Sequence, residues 1–343
     1  MICVAIEILI IKIGALGDVL RTTFLLTGFK GKYSDCSISW LTSKKAVELL
    51  SNNKLIDYVY TLDEKEKVPS KFDIVLCLDD EKEAALVASK IEKKEFIGAY
   101  VENDEIKYTE NSADWFGMGL LRPKSDGGKE VADKLKKKNK QTYQELVAKI
   151  AGLNYNKETP ILNLMKEDLE FGRKFAMKNG IKDSDYVIGL NTGAGKRWPL
   201  KKWGAENTAE LSKQLNLKGI RTILLGGKDE EERNKEIIDW AENGLIDSGV
   251  DNSLREFASI INLCDILVCT DSLSLHFAIA LKKKVVVLFG PTSAAEIEVY
   301  DKGIKIIADK DYLATYTRAD KPDIMANIKV EDVINAIEKL RIG

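Results

Sequence analysis

Short apolar runs alternate with amphipathic stretches along most of this chain. Four to eight apolar residues bounded by turn residues are typical of a buried strand, whereas apolar residues spaced three and four apart are typical of a helix. Strands that alternate with helices indicate parallel sheets covered by helices on both faces. The pattern therefore predicts an α/β protein built from doubly wound parallel sheets.

The first half of the chain predicts four strands and four helices. The strands are expected at 6–13, 37–41, 58–61 and 72–78, and the helices at 18–28, 43–51, 81–93 and 141–151. Residues 101–139 have no clear period, so irregular structure or short elements are expected there. The polar, proline-containing passage 154–160 is the best candidate for a domain boundary.

The second half is more regular and predicts another doubly wound unit. Its strands are expected at 186–191, 221–226, 266–270 and 285–289, with helices at 202–215, 229–242, 254–263 and 273–281. A last helix at 330–340 fits either domain.

Composition agrees with a two-domain globular protein. The chain has 343 residues, 45% of them hydrophobic, and a formal charge of only -2, which argues against a general nucleic-acid-binding surface. The first apolar run is short and contains Lys12, so we expect a core strand and no signal peptide or membrane span. Five scattered cysteines without CxxC spacing suggest reduced thiols in a cytoplasmic protein, and a single histidine leaves almost no ligands for zinc.

Two charged segments have more than one interpretation. The lysine-rich run 133–140 can contact an anionic lipid head group or acceptor, although such runs usually face water. Asp79 and Asp80 follow a predicted strand and suggest a metal-binding pair, but capping of the next helix is the commoner role.

Loops that follow parallel strands are where ligands bind, because helix N-termini there present free N–H groups to anions. In TGAGKRWP, residues 192–199, small residues let the backbone approach a phosphate, and Lys196 adds a positive charge. The spacing fits neither a Walker loop nor GxGxxG. An ordinary glycine turn explains the stretch equally well.

GALGD, residues 14–18, follows the first strand and opens a helix. It lacks the third glycine of a nicotinamide-binding loop, and its carboxylate, Asp18, would repel a pyrophosphate. Helix capping is the commoner role for an acid here. If the loop binds a ligand, its chemistry suits a base or a hydroxyl-binding group.

The only histidine, His276, lies in DSLSLH at the start of a predicted helix. A neutral imidazole there can donate to a phosphate or sugar oxygen, beside the helix amides. A lone histidine is nevertheless more often a structural residue. The next strand ends in FGPTS, a second tight loop at the same edge of the sheet.

The motifs GDVL, KRWP, LLGGKDEEER and DSLSLH followed by FGPTSAAE occur in this order. In this the chain resembles the ADP-heptose:lipopolysaccharide heptosyltransferase family, inverting glycosyltransferases of the GT-B architecture. The resemblance spans nearly the whole chain and is strongest over 187–296. It implies two Rossmann-like domains facing a cleft: an acceptor domain at 1–160 and a nucleotide-sugar domain at 161–325, with the helix in 326–343 crossing back to the first domain.

The resemblance also implies the roles of individual residues. Asp18 matches the catalytic base, and Lys196 matches the lysine on the donor phosphates. No metal or cofactor is implied beyond the donor, expected to be ADP-heptose. The acceptor would be a lipid-linked or lipopolysaccharide core saccharide, with peripheral contact at the inner face of the cytoplasmic membrane. The donor site would consist of Thr192, Gly193, Gly195, Lys196, Asp229, Asp271, Ser272, His276, Gly290, Pro291 and Thr292.

Two departures from the family pattern leave alternatives open. Leu273 stands where the family commonly has glycine after its DT or DS pair, and Lys228 stands where a ribose-binding acid is common. A different nucleotide sugar with a non-lipopolysaccharide acceptor therefore remains an alternative, as does a nucleotide-sugar-binding protein without turnover. The incomplete glycine pattern disfavours an NAD-dependent oxidoreductase.

Overall fold

The chain forms two compact units, Met1–Asn163 and Leu164–Gly343. The computed structural model describes residues 5–195, 198–242, 244–316 and 323–342. Each unit contains one six-stranded sheet. The boundary predicted after residue 160 lies three residues before the end of the first unit.

The first sheet has the order β3-β2-β1-β4-β5-β6 and is parallel except for the pairing of β5 with β6. The central strand β1 is apolar throughout its buried part because helices cover both faces of a parallel sheet. Its residues from Ile8 to Ile11 have no exposed surface. The strands are β1 Ile6–Ile11, β2 Cys36–Thr42, β3 Tyr58–Thr61, β4 Lys71–Cys77, β5 Glu92–Glu102 and β6 Glu105–Tyr108.

The helix predicted at 18–28 is two consecutive helices that meet at Thr23. The Thr23 hydroxyl donates to the Leu20 carbonyl at 2.7 Å and accepts from the Ile161 N–H at 2.7 Å. The helices of this unit are α1 Leu16–Thr22, α2 Phe24–Lys32, α3 Val47–Leu50, α4 Lys82–Lys90, α5 Ala113–Phe116, α6 Gly128–Lys138 and α7 Tyr143–Ile150.

The second sheet has the order β12-β11-β10-β7-β8-β9, and all its pairs are parallel. In both units the first strand is central, and the chain reverses its direction of winding beside it, between β1 and β4 and between β7 and β10. Both units are therefore doubly wound, as predicted. The strands are β7 Val187–Asn191, β8 Arg221–Leu225, β9 Leu245–Asp247, β10 Ile266–Thr270, β11 Lys284–Phe289 and β12 Gly303–Ile307.

The C-terminal helix packs in the second unit, against α9, β11 and β12. We expected it to return to the first domain, but its apolar face, including Val333 and Ile337, fills the second core. The helices of this unit are α8 Lys166–Lys178, α9 Ala205–Leu217, α10 Glu231–Ala241, α11 Leu254–Ile261, α12 Leu273–Ala280 and α13 Val330–Ile342.

The segment 101–139, where irregular structure or short elements were expected, contains the hairpin strand β6 and the 11-residue helix α6. Helix α6 was missed because it buries only Gly128 and Ala132, which leaves a weak apolar period. Within the described ranges, every helix is too short or too polar to cross a bilayer.

Candidate functional site

The carboxyl edge of the second sheet brings several predicted residues together. Strands β7 and β10 are neighbours, so the loops that follow them, beginning at Thr192 and Asp271, leave the sheet side by side. This is the point where the winding reverses, which is where open α/β sheets bind their ligands.

Side chains from the neighbouring strand and helix hold the loop after β7. The Thr192 N–H donates to the Leu225 carbonyl at 3.1 Å, and the Thr192 hydroxyl donates to Asn234 Oδ1 at 2.6 Å. Asn191 Nδ2 donates to the Gly193 carbonyl at 2.9 Å. Gly195 has a φ of +67°, a left-handed conformation that favours glycine. Lys196, the predicted phosphate ligand, lies outside the described residues.

A buried lysine fixes the loop after β10. Lys201 Nζ donates to the Asp271 carbonyl at 2.7 Å and to Asp271 Oδ2 at 2.9 Å, and the two side chains are 10% and 20% exposed. The Lys201 ammonium also lies 5.3 Å from the centre of the Trp198 ring. Sequence reasoning missed Lys201, which lies two residues after the KRWP motif. Asp271 is therefore held in place before any ligand arrives.

Helix α12 begins directly after Ser272. The Ser272 and Ser274 hydroxyls are 2.9 Å apart, and no side chain caps the helix start. His276 lies in this helix and is 6% exposed, and every residue from Ser274 to Ala280 is buried. The N-terminus of α12 points its N–H groups toward the carboxyl edge, as anion binding requires.

The loop after β11 completes this edge. The Pro291 carbonyl accepts from the Tyr316 N–H at 2.9 Å, and the Thr292 carbonyl accepts from the Ala314 N–H at 3.3 Å. Gly290 packs tightly, since a Cβ there would lie 2.7 Å from the Leu200 carbonyl oxygen.

Two threonine hydroxyls at this edge lack hydrogen-bond partners among the described residues. They belong to Thr270 and Thr292, which are 4% and 1% exposed. Buried hydroxyls without partners are uncommon, and a ligand or water would satisfy them.

The loop after β8 carries one exposed and one buried acid. Asp229, the predicted donor-site acid, is exposed, whereas its neighbour Glu230 is 4% exposed. Glu230 is 3.0 Å from Lys202 Nζ and accepts from the Gly227 N–H at 3.2 Å. Lys228 points away from the core and pairs with Glu231 and Asp251. Sequence spacing could not distinguish the buried acid from the exposed one.

In the first unit, Asp18 lies inside α1, and Ala15 occupies the N-cap position. Asp18 Oδ1 is 2.9 Å from Arg21 Nη2, and the two side chains are 35% and 10% exposed. The Arg21 guanidinium lies over the Tyr143 ring, 3.8 Å from its centre, with Trp115 at 6.0 Å. The buried arginine thus orients a carboxylate that remains accessible.

Behind Asp18, a buried ion pair crosses the point where the first sheet reverses. Lys12 Nζ is 3.3 Å from Asp79 Oδ2, and this oxygen also accepts from the N–H groups of Ile13 at 2.8 Å and Gly14 at 3.2 Å. Burial lowers the pKa of Lys12, but the negative charges of Asp18 and Asp79 outweigh burial and raise it overall. Asp79 therefore fixes the loop before the helix that carries Asp18. The capping role expected for Asp79 and Asp80 is wrong, because helix α4 begins after Glu81 and has no side-chain cap.

The described cysteines are buried free thiols: Cys36, Cys77, Cys264 and Cys269. Burial raises the pKa of Cys77 and of Cys264 to about 12, which makes thiolate chemistry unfavourable at neutral pH. Among the described residues, no group of three or more histidine, cysteine, aspartate or glutamate side chains is arranged to hold a metal ion.

Known proteins resemble this chain in sequence and in fold. Lipopolysaccharide heptosyltransferase 2 of Salmonella typhimurium is 31% identical over 115 residues, which cover 31% of this chain and 32% of the relative. The match thus spans about a third of that relative's length. A glycosyl transferase family 9 structure from Veillonella parvula superposes with a TM-score of 0.77 at 19% identity, covering 98% of this chain and 97% of the other.

A second solved structure, the E. coli heptosyltransferase WaaC with ADP, superposes with a TM-score of 0.63 at 16% identity over 98% of both chains. These likenesses agree with the two-unit fold. The sequence model of glycosyltransferase family 9 (heptosyltransferase) matches residues 128–326, more than half of the chain. The protein therefore belongs to glycosyltransferase family 9, the heptosyltransferase family.

Proposed function

We propose that the protein transfers heptose from ADP-heptose, with inversion, to a lipid-linked or lipopolysaccharide core saccharide. The observation that carries this proposal is the family match over the half of the chain that contains the loops after β7, β10 and β11. A lipid-linked acceptor would place the enzyme in the cytoplasm, in peripheral contact with the inner face of the cytoplasmic membrane.

In this proposal the donor binds at the carboxyl edge of the second sheet. The diphosphate would accept from the N–H groups at the start of α12 and from the loop of Thr192, Gly193 and Gly195, with Lys196 supplying a positive charge. The unpartnered hydroxyls of Thr270 and Thr292 support a polar ligand at this edge.

The proposed reaction is a single displacement. Asp18 accepts the proton of the acceptor hydroxyl while that oxygen bonds to the anomeric carbon, and the bond from this carbon to the diphosphate oxygen breaks. The electron pair of that bond leaves on ADP, where Lys196 and the helix amides stabilise the added negative charge. Attack from the face opposite the leaving group inverts the anomeric centre.

A nucleotide sugar other than ADP-heptose is the second candidate donor. The residues at two positions of the donor site favour it. Leu273 occupies the place where glycine is common in the family, and Lys228 pairs with Glu231 and Asp251 where a ribose-binding acid is common. Both residues differ at positions expected to face the nucleotide, so base and sugar specificity can differ as well.

A panel of nucleotide sugars tests the donor assignment. The purified protein is incubated with ADP-heptose, UDP-sugars and GDP-sugars and an acceptor saccharide extract, and release of nucleoside diphosphate is measured. Selective release of ADP is expected. Selective use of a UDP- or GDP-sugar would replace ADP-heptose as the donor, whereas tight nucleotide binding without release for any donor would favour a binding protein.

A further inference from the structure

The connection between α5 and α7 has an unusual charge for this protein. Residues 120–140 contain eight basic and three acidic side chains, a net charge of +5, whereas the whole chain carries a formal charge of -2. Most of these basic residues are on α6 or directly after it. A cationic surface on an acidic chain favours an anionic partner.

The acidic residues of α6 are already paired within the helix. Lys129 pairs with Asp133, and Lys134 pairs with Glu130 at 2.7 Å. The last turn and the residues after it contain further exposed lysines. Three of them, Lys137, Lys138 and Lys140, are exposed and form no ion pair with another described residue. Their charges are therefore available to a partner.

Exposed leucines accompany these lysines. Leu120 is 71% exposed and Leu135 is 40% exposed, whereas most leucines of this chain are buried. Leu135 lies three residues before Lys138 and therefore on the same side of α6, and Leu120 precedes the helix in the same segment. Exposed leucines and lysines in one segment match the boundary between lipid head groups and acyl chains, where leucine enters the apolar layer and lysine meets anionic lipid. A nucleic acid or an acidic protein would use the lysines but would leave Leu120 without an apolar partner.

We propose that the segment 120–140, through Leu120, Leu135, Lys137, Lys138 and Lys140, docks the first unit on an anionic lipid bilayer. The inference rests on the proposed function in one respect: docking would bring the enzyme to its lipid-linked acceptor.

The surroundings of Asp18 give this docking a consequence for the reaction. Trp115, at the α5 side of the connection, and Tyr143, at the start of α7, both contact the guanidinium of Arg21, which binds Asp18. Helix α6 thus lies between two elements that contact the arginine paired with the candidate base. Docking through α6 would hold the Asp18 region near the bilayer.

Vesicle co-sedimentation tests the proposal. The wild-type protein is mixed with phosphatidylcholine vesicles that contain either about 30% phosphatidylglycerol or none. Binding to the anionic vesicles alone is expected, with loss of binding as salt rises from about 0.05 to 0.5 M. The variant Lys137→Gln/Lys138→Gln/Lys140→Gln should bind about a hundredfold more weakly, because each lysine near an anionic surface contributes about a factor of five.

A matched control variant removes the same number of positive charges from the second unit. Lys174, Lys178 and Lys182 are exposed in the second unit, at and after the end of α8, near the exposed Met177. Their triple glutamine variant should bind anionic vesicles as the wild type does. A Leu120→Ser variant should weaken binding severalfold while retaining the salt dependence, because it removes apolar insertion and leaves the charges.

The proposal is overturned if the wild type does not sediment with anionic vesicles or sediments equally with neutral ones. It is also overturned if the two triple variants lose binding equally, or if the α6 variant binds as the wild type does. ADP affinity, measured by calorimetry, should be the same in all variants and confirms that they are folded. A wild-type protein that releases ADP from ADP-heptose but does not bind anionic vesicles would sink this inference alone and leave the proposed reaction standing.

Discussion

Replacing Asp79 by asparagine removes the anion that faces Lys12 inside the first unit. The two side chains are 2% and 9% exposed, and the ammonium is 3.3 Å from the carboxylate oxygen. Removing one partner of a buried ion pair leaves the other charge uncompensated and costs about 3–5 kcal/mol. Asparagine keeps the size and an oxygen that can accept from the Ile13 and Gly14 amides. We therefore assign most of the expected loss to the unpaired lysine.

Hydrogen exchange of the strand amides measures this loss in the first unit alone. Amides of β1 should exchange about 10²- to 10⁴-fold faster in Asp79→Asn, since each 1.4 kcal/mol corresponds to about tenfold. Amides of β7 in the second unit serve as an internal control and should not change. The double variant Lys12→Met/Asp79→Asn should lose about 2–3 kcal/mol less free energy of unfolding than the two single variants lose together, because no buried charge remains.

The stability that Lys12 contributes depends on pH in a defined direction. The folded-state pKa of Lys12 is raised, so its contribution to stability is complete below the unfolded pKa of about 10.4 and is lost as pH rises through the folded value. The thermal unfolding temperature should therefore fall more steeply above about pH 10.4 for the wild type than for Lys12→Met. A change of less than about tenfold in β1 exchange for Asp79→Asn, or no recovery in the double variant, would refute the ion-pair account.

Three further variants address the second unit. Lys196→Ala should reduce turnover by about 10²-fold or more while weakening nucleotide affinity less, because charge develops on the leaving diphosphate; steady-state kinetics and calorimetry measure the two effects. Lys201→Met should destabilise the protein by about 1.5–3 kcal/mol and weaken ADP binding, since Asp271 loses a charged hydrogen bond; thermal unfolding and calorimetry that match the wild type would contradict this. Gly290→Ala should lower the unfolding temperature measurably, because the added Cβ would lie 2.7 Å from the Leu200 carbonyl oxygen, and an unchanged unfolding temperature would show that the loop can relax.

The regular part of the fold was predictable because its elements are strongly patterned. The strands at 58–61 and 266–270 were predicted with the bounds that the structure has, and both doubly wound sheets were expected. Elements without a buried apolar period were missed. Helix α6 buries only two small residues, and β9 has three residues, so neither gives a sequence signal above that of a loop.

Sequence motifs identified the loops of the candidate site but not the side chains that hold them. Lys201 and Asp79 act through contacts with residues about 70 positions away in the chain, and no local spacing indicates such pairs. The sequence also did not show which of two neighbouring acids is buried: Glu230 is enclosed and Asp229 is exposed. The roles of Asp18, Lys196 and His276 remain predictions that depend on the bound donor and acceptor.

The central claim, that Asp18 is the base of a heptosyl transfer, is tested most directly by acceptor-dependent ADP release from ADP-heptose in wild type and Asp18→Asn, with the acceptor saccharide extract present. The substitution keeps the side-chain size and removes proton acceptance, so turnover should fall about 10²- to 10⁴-fold while ADP affinity, measured in parallel, stays unchanged. Asp18→Ala controls for the contact with Arg21, which both substitutions weaken. Full turnover in Asp18→Asn would contradict the account.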